Sequence, residues 1–172
     1  MIPIVSIVGK SDSGKTTLLE KIVKELRKRG RRVATIKHDA HSFEIDHEGK
    51  DSWRHKKAGA NITIISSPSK MAMVLDTDHD HTLSELRDEF IRKVDLIITE
   101  GYKREGHPKI EVFRRELKRE LLCEEDDNLV AIAGDPANPP DGVPVFDLNR
   151  PEPLCDFIEA RFIKSAKQGL GE

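Results

Sequence analysis

The N-terminal segment decides the fold of this chain, and it reads Ile2-Pro3-Ile4-Val5-Ser6-Ile7-Val8-Gly9-Lys10-Ser11-Asp12-Ser13-Gly14-Lys15-Thr16. Its first half is a short apolar run that predicts a buried strand. Its second half, from Gly9 to Thr16, fits the pattern G-x-x-x-x-G-K-[ST], and an amphipathic helical pattern follows. A strand, this motif and a helix in that order form the context in which such a loop binds phosphates.

The residues of this P-loop have separate expected roles. Gly9 and Gly14 let the backbone curl so that successive N–H groups point inward, and the helix N-terminus adds positive potential. We expect Lys15 to reach the β- and γ-phosphates, Thr16 to bind Mg²⁺ and Thr17 to contact the α-phosphate. The alternative is a glycine-rich turn that binds nothing. The candidate binding residues are Gly9, Lys10, Ser11, Asp12, Ser13, Gly14, Lys15, Thr16 and Thr17.

Further apolar runs predict the rest of a sheet. Most of them are continuous rather than alternating, which is typical of strands covered on both faces by helices. Two of the runs meet at Ser67-Pro68-Ser69, which predicts an antiparallel hairpin at a sheet edge. The fold class is therefore α/β, a three-layer P-loop fold with a mostly parallel sheet. Strands are predicted at residues 2–8, 32–36, 61–66, 71–75, 94–99, 129–133 and 143–146, and helices at 18–26, 51–59, 83–91 and 151–162.

Length and composition limit the possible classes of protein. The 172 residues predict one nucleotide-binding domain over 1–163 and a flexible polar tail over 164–172. A formal charge of −2 gives no global field that would favour nucleic acid or an anionic membrane. The early apolar run is too short to span a bilayer. Cys123 and Cys155 show no metal-binding or disulfide spacing, so we expect a reducing, cytoplasmic environment.

Acidic residues at predicted strand ends are candidates for the metal site and for catalysis. The carboxyl edge of an open α/β sheet faces its ligand, and Glu100 ends a buried strand there. Glu100 is therefore expected to bind magnesium together with Thr16, whereas Asp95 at the other end of that strand faces away. Asp39 follows the second strand and could hold a magnesium-bound water or orient the attacking one. With Lys15, Asp39 and Glu100 form the candidate catalytic set, although each carboxylate could simply be solvated at a strand end.

Histidines and further acids raise other possibilities. His38, His41 and His47 lie beside the predicted ligand edge, where a role in nucleotide or substrate binding is favoured. His79 and His81 alternate with aspartates and are interpreted as a polar loop, because neither cluster has a zinc spacing. For recognition of the base, the N-K-x-D segment of guanine-specific proteins does not occur. Asp135 is the first candidate and Asp147 the second, and both could equally be turn residues.

Five segments occur in a fixed order along the chain: Gly9 to Leu18, Ile36-Lys37-His38-Asp39, Gly49-Lys50-Asp51-Ser52, Ala58-Gly59-Ala60 and Thr99-Glu100-Gly101-Tyr102-Lys103. Together they resemble the family of molybdopterin-guanine dinucleotide biosynthesis protein B. The resemblance spans nearly the whole chain, and at the base strand Ala133-Gly134-Asp135 departs from the family's usual Ser-Asp. It implies a homodimer that binds GTP with Mg²⁺, hydrolyses it weakly and assists the guanylyltransferase that joins GMP to molybdopterin.

Other interpretations stay open on the sequence. Lys10 is similar in position to the signature lysine of dimeric deviant-Walker ATPases, which crosses to the partner's nucleotide, but it could be a solvated loop lysine. The segment Tyr102-Lys103-Arg104 is a possible substrate loop. A small-molecule kinase would need an arginine-rich lid, and none is evident. A metallochaperone GTPase is suggested by the histidines, and an adaptor that binds nucleotide without hydrolysis is a further alternative.

Overall fold

The computed structural model of the chain describes residues 1–39, 43–118, 120–123 and 128–165. Strands and helices alternate along most of it, as the sequence predicts. The elements are β1 (Ile4–Val8), α1 (Lys15–Lys28), β2 (Val33–Lys37), α2 (Asp51–Lys57), β3 (Ile62–Ser66), β4 (Met71–Leu75), α3 (Leu83–Phe90), β5 (Leu96–Glu100), β6 (Lys109–Phe113), β7 (Leu129–Gly134), β8 (Val145–Phe146) and α4 (Pro151–Ile158).

The first of two compact units contains Met1–His38 and the described part of Leu83–Glu172. Its six strands run in the order β2-β5-β1-β6-β7-β8, and every neighbouring pair is parallel. Strand β1, which leads into the P-loop, is fully buried in the middle of this sheet. The carboxyl ends of β5, β6 and β7 therefore lie along the same edge as the loop.

Helices cover both faces of this sheet, which confirms the three-layer prediction. On one face Val5 and Ile7 pack with Leu18 and Ile22 of α1, in a cluster that also includes residues of α4. On the other face Ile4 and Ile97 pack with Leu83 of α3. Because neighbouring residues of β1 point to opposite faces, one continuous apolar run serves both clusters.

Strand β6 was not predicted from the sequence, although it pairs with β1 and is central in the sheet. Its residues Lys109 and Glu111 are only 2% and 1% exposed, and these polar residues interrupt the apolar pattern. The Glu111 carboxylate accepts hydrogen bonds from the backbone N–H groups of Leu122 and Cys123, at 2.6 and 2.9 Å. Burial raises the pKa of Glu111, while these hydrogen bonds stabilise its charged form. Hydrogen bonding is what allows an acid to occupy a buried strand.

The second unit, Asp39–Thr82, contains α2 and the hairpin of β3 and β4. The antiparallel hairpin is confirmed, with Ile64 opposite Met73. Its predicted place at the edge of the main sheet is wrong, since β3 and β4 form a separate two-stranded sheet within the described chain. Ordinary hairpin signals predict the pairing of two adjacent strands but carry no information on which third strand they join. Whether residues 1–163 fold as one domain stays a prediction.

The C-terminal helix is longer than predicted. A π-helical segment, Glu159–Lys164, continues directly from α4. The expected flexible tail therefore cannot begin at Lys164, and residues 166–172 lie outside the described chain. Cys123 and Cys155 are both buried and are not joined by a disulfide. Across the described residues, no helix is both long and apolar enough to cross a membrane.

Candidate functional site

The P-loop has the backbone shape that the motif predicts. Gly9 and Gly14 have φ angles of +148° and +93°, in the region that favours glycine. A Cβ on Gly9 would lie 2.6 Å from the carbonyl oxygen of Val112, so the close approach of β6 also requires glycine there. Helix α1 begins at Lys15, and the Nζ of that lysine donates a 2.9 Å hydrogen bond across the loop to the Lys10 carbonyl. This lysine thus lies over the curled backbone, where phosphate oxygens are bound in such loops.

Thr16 and Glu100 meet although they are 84 residues apart in the sequence. The Thr16 hydroxyl lies 3.0 Å from both carboxylate oxygens of Glu100. The contact arises because α1 starts beside the carboxyl end of β5, which is the neighbour of β1. A hydroxyl and a carboxylate at one point are hard oxygen ligands, so these two residues fit a magnesium ion. Asp95 precedes the same strand and accepts a hydrogen bond from the Arg32 N–H, which places it at the opposite edge.

Two cavities open along this edge of the sheet. The first, of about 470 Å³, is lined by P-loop residues and by Glu100. The second, of about 490 Å³, lies at the ends of β7 and β8 and is lined by Arg114, Gly134, Asp135, Phe146 and Asp147 among others. Both volumes lie in the range of small-molecule sites. The first cavity contains Ser11, Asp12, Gly14, Lys15, Thr16 and Thr17, all of them predicted binding residues.

Asp135 lies in the second cavity, but its carboxylate also has a structural contact. The backbone N–H of Arg115 donates to Asp135 Oδ1 at 2.9 Å, and the Arg115 Nε donates to the Asp135 carbonyl at 3.1 Å. Asp147 Oδ1 similarly accepts from the Asn149 N–H at 2.7 Å. Each carboxylate oxygen can accept more than one hydrogen bond, so both acids retain capacity for a ligand. Their roles in base recognition stay predictions.

Gly134, which replaces the serine expected before Asp135, has a backbone reason. Its φ is +146°, and a Cβ there would lie 1.8 Å from the carbonyl oxygen of Phe113 at the end of β6. No side chain fits at that distance without a shift of one of the two strands. Glycine therefore stands where the family usually has the serine of Ser-Asp, and it allows β7 to pass close to β6.

The histidine and aspartate candidates are distributed over several segments. His38 ends the first unit, where its ring lies 4.8 Å from the Tyr102 ring and its N–H donates to the Glu100 carbonyl. Asp39 is exposed and begins the second unit, so its predicted role stays a prediction, and His41 lies outside the described residues. His79 and His81 stack in a loop before α3, as predicted. Within the described chain no three His, Cys, Asp or Glu side chains are grouped to hold a metal.

Arg114 is the site residue that sequence reasoning missed. It follows β6 directly, and its Nε donates a 2.9 Å hydrogen bond to the Ser13 carbonyl within the P-loop. The missed strand explains the missed arginine, because only a strand beside β1 brings residue 114 to the loop. The alternation of polar and apolar residues from Lys109 to Phe113 is the signal that could have revealed it.

This arrangement of sheet, loop and strand-end carboxylate defines the P-loop NTPase fold class. The family model for molybdopterin guanine dinucleotide synthesis protein B matches residues 4–135. The chain therefore belongs to that family, as its sequence motifs suggested.

Individual relatives agree with this assignment. The chain is 41% identical over 159 residues to the molybdopterin-guanine dinucleotide biosynthesis adapter protein of Haemophilus influenzae, covering 92% of this chain and 88% of the relative. It is 38% identical to the adapter protein of Escherichia coli, over 92% of each chain. A crystal structure of Bacillus subtilis MobB superposes with a TM-score of 0.74 at 28% identity, over 94% of this chain and 98% of that one.

Proposed function

We propose that this protein binds GTP with Mg²⁺ and assists the guanylyltransferase that attaches GMP to molybdopterin. The observation that carries the nucleotide-binding part is the convergence of Lys15, Thr16 and Glu100 at one cavity. The second cavity lies beside it, near Gly14 and Asp135, where the base of a bound nucleotide would fit. Membership of the family supports the role in molybdenum cofactor biosynthesis.

In this proposal the P-loop amides and Lys15 bind the triphosphate, and Thr17 contacts the α-phosphate. Thr16 and Glu100 would hold the magnesium ion, which supplies charge neutralisation at the β- and γ-phosphates. Hydrolysis is expected to be slow. The sequence shows no evident water-orienting glutamine of the kind that fast GTPases use.

The proposed contacts with other molecules involve two separate segments of the chain. Lys103 and Arg104 are exposed just after Glu100, so they would engage the anionic pterin or the transferase. A homodimer is supported by the hairpin. Its residues Ile64 and Met73 lie directly opposite one another and are 56% and 40% exposed. Ile62 and Met71 extend the same face, and a second copy offers an identical apolar surface.

Calorimetric titration with GTP and with ATP, each with Mg²⁺, tests the nucleotide-binding part of the proposal. Tighter binding of GTP is expected, and Lys15→Ala should weaken it by roughly a hundredfold or more because a charge-assisted contact to phosphate is lost. Lys24→Ala is the matched control, since Lys24 is exposed on the same helix away from the loop. Equal or tighter binding of ATP would instead favour a kinase or an ATPase, and equal binding by wild type and Lys15→Ala would reject the P-loop as the site.

A further inference from the structure

We propose that Arg114 is a nucleotide-contacting residue that holds the P-loop by the Ser13 carbonyl and donates from Nη2 to the ribose and purine half of a bound nucleoside triphosphate. This inference rests on the proposed nucleotide binding and adds a contact that the P-loop motif does not contain. It places the Arg114 side chain at the boundary between the first cavity, which the P-loop lines, and the second cavity.

The first observation behind this proposal is the position of the Arg114 guanidinium. Its Nε is committed to the Ser13 carbonyl at 2.9 Å, and its Nη1 lies 3.3 Å from Glu116 Oε1. Its Nη2 would lie 3.3 Å from a Cβ on Gly14, the glycine that precedes Lys15. The guanidinium therefore lies against the residue where the loop becomes a helix, and it also lines the cavity that contains Asp135.

The second observation is that the Arg114 guanidinium still has N–H groups available to a ligand. Nη2 has two N–H groups and, among the described residues, no hydrogen-bond partner, while the side chain is 38% exposed. The guanidinium therefore places a positive charge beside an anion-binding loop. A planar guanidinium can also stack on a purine face, which a lysine cannot reproduce. Because Arg114 also lines the second cavity, its guanidinium lies on the side where the nucleoside, rather than the terminal phosphate, would bind.

A purely structural role for Arg114 makes a different prediction. If the arginine only shaped the loop through Ser13, its removal would weaken every ligand of the P-loop by the same factor. If Nη2 contacts the nucleoside, the loss is larger for a ligand that contains ribose and purine. Inorganic tripolyphosphate, which has neither, separates the two roles.

The test is titration of GTP and of tripolyphosphate, both with Mg²⁺, into wild type, Arg114→Ala, Arg114→Lys and the control Arg32→Ala. Arg32 is exposed at the opposite edge of the sheet, beside Asp95. We expect Arg114→Ala to raise the Kd for GTP about tenfold or more, and that for tripolyphosphate less than about threefold. Arg114→Lys should not restore GTP binding, because it keeps the charge but not the planar fork.

Equal losses for the two ligands, unchanged GTP affinity, or full rescue by Arg114→Lys would each overturn the inference. If tripolyphosphate binds too weakly to titrate, a crystal structure with a non-hydrolysable GTP analogue decides. Nη2 should then lie within about 3.5 Å of the ribose or purine, and a gap too wide for direct contact would refute the assignment. Lys15→Ala separates the two proposals. Nucleotide binding that depends on Lys15 but not on Arg114 rejects only this inference.

Discussion

At the scale of single residues, the contact between Thr16 and Glu100 makes the proposed metal site testable. Glu100→Gln keeps the size of the side chain and removes its charge, so it weakens the attraction for a divalent cation. We expect the gain in GTP affinity on addition of Mg²⁺ to fall about tenfold or more, while affinity measured in EDTA changes little. Calorimetric titration with and without Mg²⁺ measures both quantities.

The control for this prediction is Glu89→Gln, which removes an equal charge from an exposed position on α3. It should leave the magnesium dependence intact. An unchanged magnesium dependence in Glu100→Gln would show that the carboxylate only accepts a hydrogen bond from the Thr16 hydroxyl and does not bind the metal. Asp39 would then be the next acid to replace.

At the scale of elements, α1 is joined to the C-terminal helix by ion pairs. Glu159, in the π-helical segment, accepts a hydrogen bond at 2.9 Å from Arg29 Nη1 and another from Arg31 Nε. Burial opposes ionisation of Glu159, but the two guanidinium groups outweigh it and hold its pKa below the usual 4.5. These ion pairs join the end of α1, the helix that carries Lys15 and Thr16, to the C-terminal helix, which packs in the same core cluster.

Glu159→Gln should destabilise the protein by about 1–3 kcal/mol at pH 7, because Arg31 loses its charged partner and Arg29 loses one of its three, in a mostly buried place. A lowered folded-state pKa means that this contribution is fully present above pH 4.5 and is lost as pH falls through the folded-state value. Urea denaturation at pH 7 and at pH 3 should therefore show a smaller difference between variant and wild type in acid.

The matched variant for this pair is Asp156→Asn. Asp156 also contacts Arg29 Nη1, but its side chain is 70% exposed, so its loss should cost less than about 1 kcal/mol. Equal losses of unfolding free energy in the two variants would show that the burial of Glu159 does not strengthen its ion pairs.

At the scale of the whole molecule, the hairpin face predicts the oligomeric state. Ile64→Asp places a charge in the centre of the exposed apolar face of β3 and β4, where a second copy would have to bury it. We expect sedimentation to show a dimer for wild type and a monomer for the variant. Ser69→Glu, which adds a charge at the exposed hairpin turn instead, should remain a dimer. A monomeric wild type would reject the proposed homodimer.

Local signals determined much of this protein. The motif from Gly9 to Thr16, the strand before it and the helix after it follow from residues adjacent in sequence, because φ requirements and amphipathic periods are local properties. Glu100 was also found from the sequence, since it ends a continuous apolar run and the edge rule for parallel sheets places it beside the ligand. The hairpin pairing of β3 and β4 likewise depends on a short turn.

Only the tertiary structure decided the remaining features. Strand β6 is concealed in sequence because its buried Glu111 is stabilised by N–H groups 11 and 12 residues away, which no local pattern shows. Arg114 reaches Ser13 only because β6 lies beside β1, and Gly134 is required only because β7 approaches Phe113. Pairings between distant segments depend on the packing of the whole sheet. The sequence therefore determined the P-loop and predicted that Glu100 lies beside it, whereas only packing brought Arg114 and Gly134 to the carboxyl edge of the sheet.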